Sequence, residues 1–301
     1  MRWGIRPWRD GRARSHDQDM ELVMVVIRVS SIATARGPDQ LDEWIVPLDG
    51  TTASERALPI ASSLASATGS GLRLLTTQTE IDGSTATSYL ENIAASLPTE
   101  VDADVDADQQ PADAVAAAAD SARTGVCMTT HARGRLLAAL HPNIAAEVVT
   151  RAAGPVVLVG PACRAEPLGE GPILLAHDGS PEATAAGHHV LDLAALLHRA
   201  VEVVAVVSAP SGRPSDEPYP EESREMGALC DHAARLGVAA NHRLVFASEV
   251  HDGLMDAIEQ VQPALVAMMT HHRDRLELFR EGSLTMDVVH HAPVPVLVAR
   301  R

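Results

Sequence analysis

The chain runs to 301 residues, about twice an ordinary domain of roughly 100–150. Acidic residues outnumber basic ones 40 to 24, and the resulting charge of −16 repels phosphate and excludes nucleic acid as a partner. All 24 basic residues are Arg, so a phosphate-loop lysine, a Schiff-base lysine and a lysine general base are excluded as well.

Residues 1–42 conform to nothing that follows. Five Arg fall in the first fourteen positions, and the apolar stretch Leu22-Val23-Met24-Val25-Val26-Ile27 is broken by Arg28. That stretch is shorter than the roughly 7–15 residues of a secretory signal. The segment is therefore read as a disordered leader, or one that precedes the real start, with Met20 and Met24 as alternatives. No segment reaches the ~18 apolar residues of a membrane span, so no membrane partner is expected.

From residue 43 the pattern alternates. Ile45 to Leu48 reads as a short strand ending at Asp49-Gly50. The spacing of Ala57, Leu58, Ala61, Leu64 and Ala65 predicts a helix with Gly69 placed to cap it. An extended run follows at 72–76, then a loop, a helix over 88–97 and a strand at 101–105. A helix over 112–122, a strand at 126–130, a helix over 144–151 and a strand at 156–159 complete the first unit. The second is predicted as strand 173–177, helix 183–198, strand 201–207, a Pro-rich loop, helix 221–236, strand 242–247, helix 250–261, strand 264–270, helix 283–291 and strand 295–299. Such alternation argues for parallel βαβ units in a doubly wound α/β sheet. The expected boundaries are 43–160 and 172–301, with 161–171 as a linker.

The two units are copies. Thr130-His131-x-Arg133-x-Arg135 recurs as Thr270-His271-x-Arg273-x-Arg275. Glu147-Val148-Val149 matches Asp287-Val288-Val289, Pro155 matches Pro295, and Leu48-Asp49-Gly50-Thr51 matches His177-Asp178-Gly179-Ser180. The terminal runs 156–159 and 294–298 are apolar on both faces and uncharged, as befits strands meant to pair.

These motifs, in this order and duplicated, resemble the universal stress protein family in its tandem, two-domain form from about residue 43 onward. The resemblance implies two Rossmann-like domains, joined through their last strands about a pseudo-twofold axis, with a homodimer as a further expectation. It also implies an adenine-nucleotide site for ATP, with Mg²⁺ accompanying the nucleotide. The first-strand aspartates, Asp49 and Asp178, would lie near adenosine. A glycine turn after the fourth strand and a Gly-Ser pair opening the last helix would hold the phosphates, since glycine admits close backbone approach and a helix start offers unpaired N–H groups.

Against that pattern the first unit is degenerate, because Thr129 and Ala132 stand at the turn glycines and Pro142-Asn143 at the Gly-Ser pair. In the second unit Met269 and His272 replace the turn glycines, but Gly282-Ser283 and Asp178 remain. The residues implied for a nucleotide are therefore Asp178, Gly179, Thr270, His271, Arg273, Gly282 and Ser283, with Asp49, Thr130, His131 and Arg133 as weaker counterparts. The arginines offer bidentate contacts that stand in for lost backbone donors; read plainly, they are solvated turn residues, and Asp274 offsets Arg273. Asp49 and Asp178 likewise have a plain reading, as turn and helix-cap residues.

The 14 histidines include three adjacent pairs, but neighbours in sequence point apart and no metal-ligand spacing accompanies them; no metal is expected. Neither a nucleophile elbow, a dinucleotide fingerprint nor a phosphate-loop motif is present, and Cys127 lies within an apolar strand. The three cysteines lack paired spacing and fit reduced thiols in a cytoplasmic protein. The functional expectation is a non-catalytic stress-response protein with a degenerate ATP site in its second domain. The alternative is a ligand-free interaction protein with both clefts lost.

Overall fold

The computed structural model describes residues 40–81, 83–99, 101–130, 144–208, 220–269 and 283–299. The leader, apart from residues 40–42, lies outside them. The first half contains β1 (Glu43–Pro47), α1 (Thr52–Glu55), α2 (Leu58–Thr68), β2 (Gly71–Thr76), β3 (Glu80–Ile81), β4 (Ser84–Thr85), α3 (Ala86–Ser96), β5 (Val101–Val105), α4 (Pro111–Ala118), β6 (Thr124–Thr129), α5 (Ile144–Arg151) and β7 (Val156–Val159). The second contains β8 (Ile173–Ala176), α6 (Pro181–Leu196), β9 (Val201–Ser208), α7 (Pro220–Arg235), β10 (Ala240–Ala247), α8 (Val250–Val261), β11 (Leu265–Met269), α9 (Leu284–His291) and β12 (Val296–Ala299).

Local chemistry sets the helix ends. Gly69 takes φ +64 and closes α2 as a left-handed cap, the role its sequence position predicts. Ser180 accepts from the Ala183 N–H and Pro181 occupies the first turn of α6, where a missing N–H costs nothing. Two features of the first half go beyond the sequence reading. The short helix α1 is capped by Thr51, and the stretch 77–85, expected as a loop, contains the hairpin β3–β4 with Ile81 opposite Ser84.

Ten strands join in one sheet, in the order β10, β9, β8, β11, β12, β7, β6, β1, β2, β5. Each half repeats one winding: the first strand sits centrally, the second and third extend to one side, and the chain crosses back to place the fourth and fifth on the other. In this sheet all pairings within a half are parallel, whereas β7 and β12 meet antiparallel. At that seam Val296 faces Leu158, Leu297 faces Val157 and Val298 faces Val156. The central pair, Val157 and Leu297, consists of repeat counterparts, so a pseudo-twofold axis passes through it.

Both faces of the sheet are covered, which is why its strands read as nearly continuous apolar runs. Alternate residues divide between two cores. Trp44, Val46, Leu74, Cys127, Val157, Leu175 and Leu297 pack on the face covered by α2, α6 and α7. Ile45, Val126, Leu158, Leu174, Val266 and Val296 pack against α4, α5, α8 and α9. Each core runs across both halves. Trp44 is fully buried beside Gly125 on the neighbouring strand, and its Nε1–H donates to Thr68 Oγ1 at 3.4 Å.

The connecting segment is fastened to both halves. Arg56 on the first half donates to the carbonyls of Pro161 (3.2 Å) and Cys163 (2.5 Å), and the Leu168 N–H donates to Ser63 Oγ. The Arg164 N–H donates to the Pro293 carbonyl of the second half. Gly160 passes so close to Val289 that a Cβ would lie 1.6 Å from the Val289 oxygen.

Candidate functional site

In a doubly wound sheet the crevice that receives ligands opens at the carboxyl edge, where the strand order reverses. This protein has two such points: between β1 and β6, and between β8 and β11. The repeat therefore delivers Asp49 and Thr130 to the first edge and Asp178 to the second, as the strand assignments predict.

At the first edge, Asp49 is committed to its own turn. Its Oδ1 accepts from the Thr51 N–H at 3.0 Å and the Thr51 hydroxyl at 2.6 Å. Thr51, not Asp49, caps α1 by accepting from the Ser54 N–H. Gly50 has φ +79, so a side chain there would be strained. The hairpin β3–β4 lies on this turn: Gln78 Nε2 donates to the Asp49 carbonyl at 2.9 Å, and a Cβ on Gly50 would fall 2.3 Å from Ile81 Cγ2. Ile81 is itself buried. Beside it, the Thr130 N–H donates to Val159, while Thr130 Oγ1 is buried with no hydrogen-bond partner among the described residues.

The second edge is built differently. Asp178 is exposed, and its Oδ1 accepts from the Ser180 N–H at 2.9 Å. Again the residue two positions on, Ser180, is the helix cap, which corrects the capping role read for the aspartates. Gly179 adopts φ +83 and donates its N–H to His177 Nδ1 at 2.9 Å. The opposite imidazole nitrogen lies 3.2 Å from Thr184 Oγ1, which lies 2.8 Å from Glu225 Oε2 on α7. Ser283 caps α9, accepting from the Met286 N–H at 3.3 Å. Because α9 runs back from the carboxyl end of β11, its N-terminus belongs to this edge. Of the remaining sequence-predicted residues, His131 and Arg133 in the first unit and Thr270, His271, Arg273 and Gly282 in the second lie outside the described residues.

Sequence reasoning missed His177, Thr184 and Glu225 as a connected set, and Gln78 and Ile81 as a cover. The first signal was present, because the repeat places Leu48 opposite His177, and a buried histidine in place of leucine demands hydrogen-bond partners.

The thiols are poor nucleophiles. Burial pushes the Cys127 thiol strongly up, and its Sγ donates to the Ala57 carbonyl at 3.7 Å. Cys163 is pushed up to about 11 by burial, which outweighs the opposing effect of Arg56. Histidines pair between helices rather than within sequence doublets: His188 on α6 stacks on His232 of α7 with centroids 4.2 Å apart, and His251 meets His291 edge-on. Among the described residues, no three His, Cys, Asp or Glu side chains converge as a metal site. A cavity of about 60 Å³ lined by Arg164, Ile258, Gln262, Pro263, Pro293 and Val294 sits at the amino edge, away from both switch points.

The fold and the two edges define a class: a tandem pair of five-stranded doubly wound units fused through their last strands. Residues 171–300 match the family model described as Universal stress protein family, so the second half of the chain is a universal stress protein domain. Among solved structures, a universal stress protein from Archaeoglobus fulgidus DSM 4304 aligns over 87% of this chain and 97% of its own, with 14% identity and a TM-score of 0.59. A functionally unknown protein from Pseudomonas aeruginosa PAO1 covers 87% of this chain and 93% of its own, at 18% identity and the same TM-score of 0.59. These two likenesses span both halves and establish the shared fold. A universal stress protein from Archaeoglobus fulgidus in complex with dAMP aligns with 42% of this chain and 96% of its own, at 22% identity and a TM-score of 0.34. No curated protein matches the sequence. Among the described residues, no helix is long and apolar enough to cross a membrane.

Proposed function

We propose that this chain is a non-catalytic, cytoplasmic stress-response protein whose second half, residues 172–301, binds an adenine nucleotide, ATP with its Mg²⁺. The first half, 43–160, is its structural companion, with 161–171 as the connection. One observation carries the reading: Asp178 stands exposed at the second switch point, whereas Asp49 is half-buried under a hairpin at the first. A helix start supplies the complementary chemistry, because its first N–H groups lack intrahelical partners and carry partial positive charge. In this reading Asp178 and Gly179 face the adenosine, and Ser283 with Gly282, Thr270, His271 and Arg273 faces the phosphates.

The protonated, buried thiols of Cys127 and Cys163 support a binding rather than a catalytic role. The test is direct. Purified protein is denatured with acid and the supernatant is chromatographed for adenine nucleotide. Recovery from the wild type and its loss in Asp178→Ala are expected; equal recovery from both would move the site elsewhere.

A second reading, a ligand-free interaction protein, is favoured by the seating of Ile81 over Gly50 at the first edge. It predicts no recovered nucleotide and no heat on titration with ATP.

A further inference from the structure

Each turn is held by its aspartate and by one further side chain, which is the imidazole of His177 at the second edge and the hydroxyl of Ser54 at the first. In the first half, Ser54 is buried at 3% exposure; its Oγ accepts from the Asp49 N–H at 3.3 Å and donates to the Thr51 carbonyl at 2.8 Å. The repeat places Ala183 at the position of Ser54, so the second half has lost that hydroxyl. It has also exchanged Leu48 for His177, which is 5% exposed and bonded to the Gly179 N–H. The tie to the following helix has been rebuilt too. Glu55 accepts from Tyr89 on α3 in the first half, and Thr184 reaches Glu225 on α7 in the second.

Those bonds fix the state of the imidazole. The Gly179 N–H can only donate, so Nδ1 carries a lone pair, and the single ring proton of neutral His177 resides on Nε2, facing Thr184 Oγ1. The Thr184 hydroxyl, accepting from Nε2, passes its own proton toward Glu225 Oε2. A second ring proton would sit on Nδ1 and point at the Gly179 N–H, donor against donor. Either the ring or the turn must then move, and Gly179, at φ +83, has a conformational tolerance that no other residue shares.

We infer that His177 is a positioning residue: in its neutral form it holds Asp178-Gly179-Ser180 in the shape that receives ligand, and protonation releases that turn. Asp178, the next residue in the chain, and Glu225 on α7, reached through Thr184, are charged groups beside this unit. The first edge, held by Ser54, has no such dependence. The part concerning ligand rests on the function proposed above.

The experiment uses the full chain labelled with ¹⁵N-glycine. The Gly179 amide is followed from pH 8 to pH 5 by its shift and its hydrogen exchange, and adenine-nucleotide affinity is measured over the same range. The amide is expected to titrate with the His177 ring and to lose about tenfold in exchange protection, the scale of one lost hydrogen bond. His177→Leu should loosen the turn at every pH. His177→Leu combined with Ala183→Ser, which imports the arrangement of the first half, should restore the turn and nucleotide binding without the pH dependence. A Gly179 amide that ignores pH, or one that still titrates in the double variant, overturns the inference. A turn that titrates while nucleotide affinity stays constant overturns its link to ligand. A turn that titrates in a protein with no nucleotide affinity at any pH leaves the latch standing and refutes the proposed function.

Discussion

Replacing Gly50 by alanine probes how firmly the hairpin closes the first edge. Two independent costs are expected. A side chain at φ +79 enters the left-handed region, which costs roughly 1–2 kcal/mol for a residue with a Cβ. The new Cβ would also sit 2.3 Å from Ile81 Cγ2 and 3.3 Å from its Cβ and Cγ1, so the buried Ile81 must shift, an overpacking cost of about 1–3 kcal/mol. Ile81→Leu separates the two, because leucine has no branch at Cβ and keeps its volume, a swap that by itself costs under about 1.5 kcal/mol. In that background Gly50→Ala should cost only its backbone share. Urea unfolding of the four proteins by far-ultraviolet circular dichroism gives a double-mutant cycle with an expected coupling of about 1–3 kcal/mol. Strict additivity would show that Ile81 does not rest on the turn, and the contrast between an exposed Asp178 and a covered Asp49 would fail.

Other outcomes follow from the same contacts. Gly125→Ala puts a Cβ 2.5 Å from the Trp44 ring and should cost about 1–3 kcal/mol, a loss that Trp44→Leu relieves; an unchanged urea midpoint would refute that packing. Burial, then the neighbouring His232, holds His188 below its ordinary 6.5, so the unfolded chain binds the proton more readily than the folded one. Stability should therefore fall as pH drops below 6.5 toward the folded value and be unaffected by this group above it, and His188→Gln should flatten that part of the profile. Of the three thiols, Cys230 should be the first to react with a maleimide in the native protein, because it is partly exposed while Cys127 and Cys163 are buried, although burial raises the Cys230 thiol too; two thiols reacting equally fast would contradict their placement.

The architecture was legible because its signals are long-range and redundant. Two copies of one motif fixed two copies of one winding, and uncharged apolar runs at 156–159 and 294–298 pointed to strands meant to pair, as they do at the β7–β12 seam. The end of α2 followed from Gly69, whereas the hydroxyl caps Thr51 and Ser180 were passed over in favour of the aspartates two residues before them. The hairpin at Ile81 escaped notice although Asp82-Gly83 is a recognised two-residue turn signal; its flanking strands are two residues each, too short for alternation to register. The site was less legible for another reason. His177, Thr184 and Glu225 are scattered over one strand and two helices, and only the crossover from α6 through β9 to α7 brings them together. Asp49 and Asp178 look identical in sequence, and what covers one and leaves the other exposed comes from elements that have no shared motif.

The most direct measurement is isothermal titration of the full chain with ATP and Mg²⁺, repeated on Asp178→Ala and Asp49→Ala. Saturation near one site per chain, abolished by Asp178→Ala and retained in Asp49→Ala, is the predicted result. Binding that survives Asp178→Ala and is lost in Asp49→Ala would put the ligand at the first edge, beneath the hairpin, and contradict the assignment.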